Sequence, residues 1–341
     1  MVDWIVLLIY ALFLIAVGCY YSYRQKSKED YFLGGRSISP FLSGISLYVS
    51  FFSTISYLAV PGEVVQYGPL YPLGVVVATP VIYLLAGYFL VPFFMDLKIT
   101  SAYEILEKPL GKEIRLTASW IFIITRFLWM ALLMFLASKA VAVMLGWDNI
   151  FTIIVTLSVI TLSYTIIGGL KAVIMTDVIQ FFILLVGAVL TIGIIAFKLR
   201  GQGTLIQTEW FDTWKNVDLI SFDPYVRLTV FFVIIDNITW WLCTTGSDQM
   251  AIQRFLSTKD LRSARRTLLF TLIGQASIIL LLMLVGYFVM NFYVAYPNLL
   301  PSGNEVSVNS DLLFPHFIAT RLPAGMSGLV IAALFSASMS S

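Results

Sequence analysis

Long apolar runs separated by short polar loops set the pattern of this chain. Nine runs stand out, at 4–22, 42–66, 72–95, 116–146, 150–167, 171–198, 227–247, 266–294 and 325–341. Each is about 17 residues or longer, the length a helix needs to cross the hydrocarbon core of a bilayer. Short alternating segments, the mark of a membrane β-barrel, are absent from the pattern. An all-α, polytopic membrane helix bundle is therefore expected. Run 42–66, LSGISLYVSFFSTISYLAVPGEVVQ, is unlike an ordinary span. It carries Ser53-Thr54-Ile55-Ser56 at its centre and Pro61-Gly62 one to two turns later. That spacing predicts a helix that unwinds inside the membrane, where freed carbonyls hold an ion. The seventh run is expected to break at Asp236-Asn237 and again at Thr244-Thr245-Gly246.

The loops add orientation. With the N-terminus outside, 14 of the 21 Lys and Arg residues fall in inner loops and five in outer ones, which supports that orientation. The outer loops 199–226 and 295–324 are rich in turn residues, and Trp210, Phe211, Trp214 and Tyr225 are expected at the membrane interface. The inner loop 96–115 has an amphipathic pattern at Tyr103, Ile105 and Leu106 that predicts a surface helix. The first run follows Asp3 rather than a basic segment and lacks a small-residue cleavage site, so it reads as a retained span. The last run stops inside an apolar helix, so the sequence is expected to be a piece of a longer protein.

Composition narrows the chemistry. The chain is 59% hydrophobic and 12% charged, against about a quarter charged for a soluble domain. A net charge of +2 gives no sign of a nucleic-acid partner. Cys19 and Cys243 lie in apolar runs and read as packing residues; the single histidine, His316, lies in an expected loop. There is no Ser/His or Cys/His constellation and no phosphate-binding glycine loop, which argues against an enzyme and against an organic cofactor. Two ionisable residues inside apolar runs are site candidates on energetic grounds, Asp177 and Arg126. Asp177 is either an ion ligand or a structural partner of Thr176, Gln180 or a broken helix end. An arginine in the membrane needs an anion, so Arg126 meets either a substrate carboxylate or a structural carboxylate such as Glu63 or Asp236. Lys139, roughly 20 Å further along the same helix, is expected to reach the outer interface. Ala337 and Ser340/Ser341 stand three and four apart on one helix face, as ion ligands or as small packing residues.

Five stretches in order resemble the sodium:solute symporter family, whose members carry sugars, proline, sialic acid and monocarboxylates. They are DYFLGGRSISPF at 30–41, the broken run 42–66, GGLKAVIMTDVIQFF at 168–182, SDQMAIQRFLSTKD at 247–260 and ALFSASMSS at 333–341. The resemblance implies a LeuT-type fold forming one transmembrane domain over 1–341. A leading helix at 4–22 would precede two inverted repeats, 42–198 and, in part, 227–341. It implies a multi-pass protein of the plasma (bacterial inner) membrane that couples Na⁺ to a small-molecule solute by alternating access. The ion would take the carbonyls of Val49, Phe52 and Ala337 and the hydroxyls of Ser340 and Ser341. In some members a second sodium lies near the position of Asp177. An arginine on the helix of Arg126 pairs the substrate carboxylate in sialic-acid carriers, and Ser53, Ser56, Tyr57 and Tyr71 are the other pocket candidates, with Tyr71 as an outer gate. Phe51 and Val75 stand where some members have polar contacts, and Gln275 where a sugar carrier has lysine, which implies a more apolar pocket. The alternative from another class is a sensor, since this fold is also fused to signalling domains.

Overall fold

The computed structural model describes residues 2–23, 27–97, 99, 101–145, 147, 149–200, 214, 218–223, 225–226, 228–301 and 310–339. Every regular element among them is helical. In chain order these are α1 (Val2–Ser22), α2 (Lys28–Leu33), α3 (Pro40–Phe51), α4 (Thr54–Tyr67), α5 (Leu70–Leu85), a π-helical turn (Ala86–Leu90), α6 (Val91–Asp96) and α7 (Glu104–Leu110). They continue with α8 (Lys112–Leu145), α9 (Ile150–Lys198), α10 (Val230–Ser247), α11 (Gln249–Leu256), α12 (Leu261–Ala295), α13 (Ser310–Arg321) and α14 (Met326–Met339). Six helices, counting α5 through α6 as one, are long and apolar enough to cross a membrane, and α3 with α4 passes the same test as one span bent by 75°.

Local chemistry explains the ends and bends. Ser39 and Pro40 open α3, the serine oxygen accepting from Leu42 N. The expected runs 150–167 and 171–198 are one helix, α9, interrupted at Gly169. There φ is 59° and ψ −165°, a region open in practice only to glycine. The π turn precedes Pro92, which has no N–H for the carbonyl of Tyr88. The surface helix expected at 96–115 is α7.

α12 is the spine of the bundle and packs on α3, α4, α5 and α9. Its approach to α3 is close enough that a Cβ on Gly44 would lie 2.5 Å from the Thr267 carbonyl oxygen. Thr271 Oγ1 uses that approach to donate to Gly44 O at 2.9 Å. α1 lies along α9 and α14. Its Asp3 caps α14 from another helix, accepting from Gly325 N (2.7 Å), Ser327 Oγ (2.8 Å) and Gly328 N (2.8 Å). A carboxylate at a helix N-terminus satisfies free N–H groups and complements the helix dipole.

Several expectations are corrected. Pro61-Gly62 does not unwind the chain but lies within α4. Asp236-Asn237 lies within the continuous α10, because polar side chains alone do not remove backbone hydrogen bonds; the break falls one residue after Ser247. The expected loop 295–324 contains α13, which buries Leu313, Phe314, Phe317 and Ile318. His316 therefore sits on a helix, 2.7 Å from the Tyr293 hydroxyl. Trp214 turns inward, donating to Val65 O at 3.2 Å, whereas Tyr225 is exposed and Trp210 and Phe211 lie outside the described residues. Cys243 is exposed rather than packed.

Gly169→Ala is expected to destabilise the protein by about 1–3 kcal/mol, the cost of forcing a Cβ into that backbone conformation. Thermal unfolding of the purified protein in detergent measures it.

Candidate functional site

The bend between α3 and α4 is built from two residues. Phe52 is extended (φ −91°, ψ 117°), and Ser53 takes the N-cap position of α4, its Oγ accepting from Ser56 N at 3.1 Å. The Ser53 and Ser56 hydroxyls also lie 3.1 Å apart. Phe52 N still reaches Val49 O at 3.1 Å. Thr54 Oγ1 crosses to α14 and donates to Leu334 O at 2.8 Å, and Tyr57 OH donates to Leu184 O of α9 at 3.3 Å. Three expected sodium ligands, Val49, Phe52 and Ala337, belong to one packed cluster around this junction. The other two, Ser340 and Ser341, lie outside the described residues.

One turn before the bend, α3 offers a stripe of serines to a buried charge pair. Asp177 on α9 and Arg254 on α11 are both buried, with Arg254 Nη2 3.4 Å from Asp177 Oδ2. Ser46 Oγ donates to the same carboxylate oxygen at 2.5 Å and receives Arg254 Nε at 2.9 Å. Ser50 Oγ stands 3.4 Å from both partners. Ser43 and Ser257 hydroxyls donate to the Arg254 carbonyl. Burial pulls the Arg254 guanidinium below its ordinary pKa, and the Asp177 charge opposes that. Asp177 Oδ1 has no hydrogen-bond partner among the described residues, and the fully buried Gln180 lies beside the Tyr10 and Tyr164 hydroxyls rather than on Asp177. The partners expected for Asp177, Thr176 and Gln180, are thus replaced by Ser46, Ser50 and Arg254.

By its position Arg254 is one of the 14 inner-loop cations; its burial is the feature that sequence reasoning missed. The available signal was its place among Ile252, Phe255 and Leu256, which are buried too. Ser43, Ser46 and Ser50 also repeat at helical spacing, as a shared face requires. On the far side of α14, the Tyr10 hydroxyl lies 2.7 Å from Ser336 Oγ, and Tyr164 OH donates to Met339 O at 3.3 Å.

The five expected pocket residues do not share one cavity, and Tyr57 is fully buried and lines neither of the two below. Ser56 and Tyr71 line a cavity of about 440 Å³ with Glu63 and Asp236. Ser53 is almost fully buried beside it as the α4 cap. Arg126 lines a second cavity, about 620 Å³, with Phe51, Trp240, Thr244 and Asp248. Its guanidinium reaches the Met250 sulfur and lies 5.6 Å from the Phe51 ring centre. Its Nε is buried with no acceptor among the described residues. Glu63 and Asp236, the structural partners considered for it, line the other cavity. Asp248, which caps α11 through Met250 N at 2.8 Å, is the carboxylate on the Arg126 side. Lys139 is exposed.

A profile described as the sodium:solute symporter family matches residues 31–341. The chain is 32% identical to the sodium/sialic acid symporter SiaT of Proteus mirabilis, over all of this chain and 68% of that protein. It is 28% identical to the sodium/sialic acid symporter NanT of Aliivibrio fischeri, over 99% of this chain and 66% of that one. It is 30% identical to human sodium-coupled monocarboxylate transporter 1, over 95% of this chain and 53% of that one. The chain thus spans about half to two thirds of the length of these relatives. A solved structure, described as the substrate-bound outward-open state of a Na⁺-coupled sialic acid symporter with a novel Na⁺ site, superposes with a TM-score of 0.88 at 30% identity. The superposition covers all of this chain and 71% of that one, and the fold is LeuT-like.

Removing one member of a buried ion pair strands the other charge at a cost of about 3–5 kcal/mol. Asp177→Asn and Arg254→Met are each expected to destabilise on that scale, and the double variant by clearly less than their sum. Equilibrium unfolding in mixed detergent across the four proteins reads the coupling.

Proposed function

The chain belongs to the sodium:solute symporter family, and from that premise we propose that it is the membrane domain of a sodium-coupled symporter for a small organic anion. The relatives it matches are transporters rather than enzymes, and it is a multi-pass membrane protein. The observation that carries the reading is the 75° break at Phe52–Ser53, tied to α14 through Thr54 and Leu334. A hard cation takes oxygen ligands, and a broken helix facing a small-residue helix supplies carbonyls and hydroxyls within one shell. On this reading Na⁺ is held by the carbonyls of Val49, Phe52 and Ala337 and the hydroxyls of Ser340 and Ser341. The free Oδ1 of Asp177 fits a second sodium nearby. Inward movement of one Na⁺ supplies about 2.3 kcal/mol per 100 mV, before the concentration term.

Arg126 takes the substrate carboxylate in the larger cavity, where Phe51 and Trp240 give an apolar wall and Thr244 a hydroxyl edge. Ser56 and Tyr71 belong to the vestibule on the other side of the break, with Ser53 fixing its entry. The repeats at 42–198 and 227–341, a leading helix at 4–22 and an N-terminus outside the plasma membrane complete the proposal.

Uptake into proteoliposomes by the full-length protein tests it, with labelled monocarboxylates, sialic acid, neutral sugars and amino acids, with and without an inward Na⁺ gradient. Na⁺-dependent carboxylate uptake is expected, reduced about ten- to a hundredfold by Arg126→Ala, the loss of a charged hydrogen bond. Ser340→Ala with Ser341→Ala is expected to raise the Na⁺ concentration needed for half-maximal uptake. Uptake of a neutral solute untouched by Arg126→Ala would sink the anion site. Na⁺-dependent binding with no uptake would favour a sensor built on the same fold.

A further inference from the structure

Where the π turn packs beside the start of α12, a cavity of about 460 Å³ is lined by Tyr83, Tyr88, Leu261, Arg262, Arg265 and Arg266. The three arginines stand at i, i+3 and i+4 in the first two turns of α12, so they share one helix face. Like charges at these spacings repel, and the positive end of the helix dipole opposes them as well. Among the described residues none of the three forms an ion pair. Asp260, the residue before α12, has Arg262 and Lys259 in its electrostatic surroundings. Its Oδ1 is already engaged as the cap of α12, accepting from Ser263 N at 2.7 Å.

The cavity is also built rather than incidental. Arg265 stacks on Tyr88, its guanidinium carbon 4.3 Å from the ring centre, and its Nε donates to Gly87 O at 3.0 Å. Gly87 and Tyr88 belong to the π turn, so the irregular backbone ahead of Pro92 is what presents this carbonyl and ring to the arginine. Tyr83 packs edge-on to Tyr88 at 6.0 Å. Arg262 and Arg266 remain exposed, with no acceptor for their donors among the described residues. Beside the cavity the α5 and π-turn surface carries exposed Leu84, Leu85 and Phe89, an apolar strip. A positive-inside charge bias accounts for cations at this end but not for a fixed, stacked guanidinium beside two free ones over a cavity.

We propose that this cavity binds the phosphate headgroup of an anionic phospholipid, with Arg262, Arg265 and Arg266 as the phosphate donors, Tyr83 and Tyr88 as the wall, and the acyl chains along Leu84, Leu85 and Phe89. Guanidinium forks match phosphate oxygens, and basic pockets between membrane helices take anionic headgroups. Both the cavity and its occupant are independent of the transported solute.

The test is native mass spectrometry of the full-length protein in detergent, titrated with phosphatidylglycerol and, separately, with phosphatidylcholine. Phosphatidylglycerol is expected to bind in preference, and the Arg262→Gln/Arg265→Gln/Arg266→Gln variant to lose that preference by about fivefold per guanidinium removed. A charge-matched control, Lys28→Gln/Lys108→Gln/Lys112→Gln, removes three exposed cations elsewhere and is expected to bind as wild type. If the triple arginine variant does not fold, Arg265→Lys decides: it keeps the charge but loses the stack and fork, and is expected to weaken binding severalfold. Equal loss in the two triple variants, no headgroup preference in the wild type, or wild-type binding in Arg265→Lys would overturn the site. Complete displacement of the lipid by millimolar inorganic phosphate would overturn the lipid as occupant and assign the cavity to a soluble anion.

Discussion

Breaking a helix inside hydrocarbon frees backbone N–H and C=O groups that lipid cannot satisfy, and the centre of this bundle is arranged around where they go. The cost is met locally and from across the bundle. Ser53 caps the restarted helix, and Phe52 N keeps a bond to Val49 O. Thr54 and Tyr57 then fasten the second half to α14 and α9. Because the junction is bonded to two other helices, it cannot straighten without breaking contacts in both. A break that cost only local strain would have no reason to be coupled to its neighbours; this one is.

Buried charge follows the same accounting. Asp177 and Arg254 meet deep in the bundle through Asp177 Oδ2, and Ser46 and Ser50 bond to both partners, while Asp177 Oδ1 is left over. Pairing and hydroxyl donors make that burial tolerable, and a change in the pairing would be felt by α3 immediately before the break. Arg126 is different. Its neighbours are a sulfur, an aromatic ring and a cavity, so its buried Nε is left for whatever enters that space. The two cavities border the same bend, Phe51 just before it lining one and Ser56 just after it the other. Movement at the bend would therefore act on both.

The helices outside this centre hold it in place. Asp3 on α1 supplies three hydrogen bonds to the start of α14, and Tyr10 meets Ser336 two turns further on. The leading helix thereby fixes the helix that faces the break, although it carries no expected ligand itself.

The sequence by itself placed the long apolar helices, because a bilayer demands some 20 apolar residues per crossing and that demand is written locally, although runs 150–167 and 171–198 form one helix broken at Gly169 and α14 is shorter than a crossing among the described residues. It also located the break within two residues, since Ser53 to Ser56 is a capping pattern that needs no distant partner. The two expected breaks in the seventh run show the limit of such reading: Asp236 and Asn237 are polar but leave the backbone ladder of α10 intact. Arg254 shows a deeper limit. In sequence it belongs to a basic loop, and only the packing of α11 against α3 carries it to a carboxylate 77 residues away. The same holds for Arg126, whose membrane position was legible while its separation from Ser56 and Tyr71 was not. Periodicity and capping are properties of neighbours along the chain. Which charges meet, and which side chains share a cavity, depends on helix crossings that no local pattern encodes.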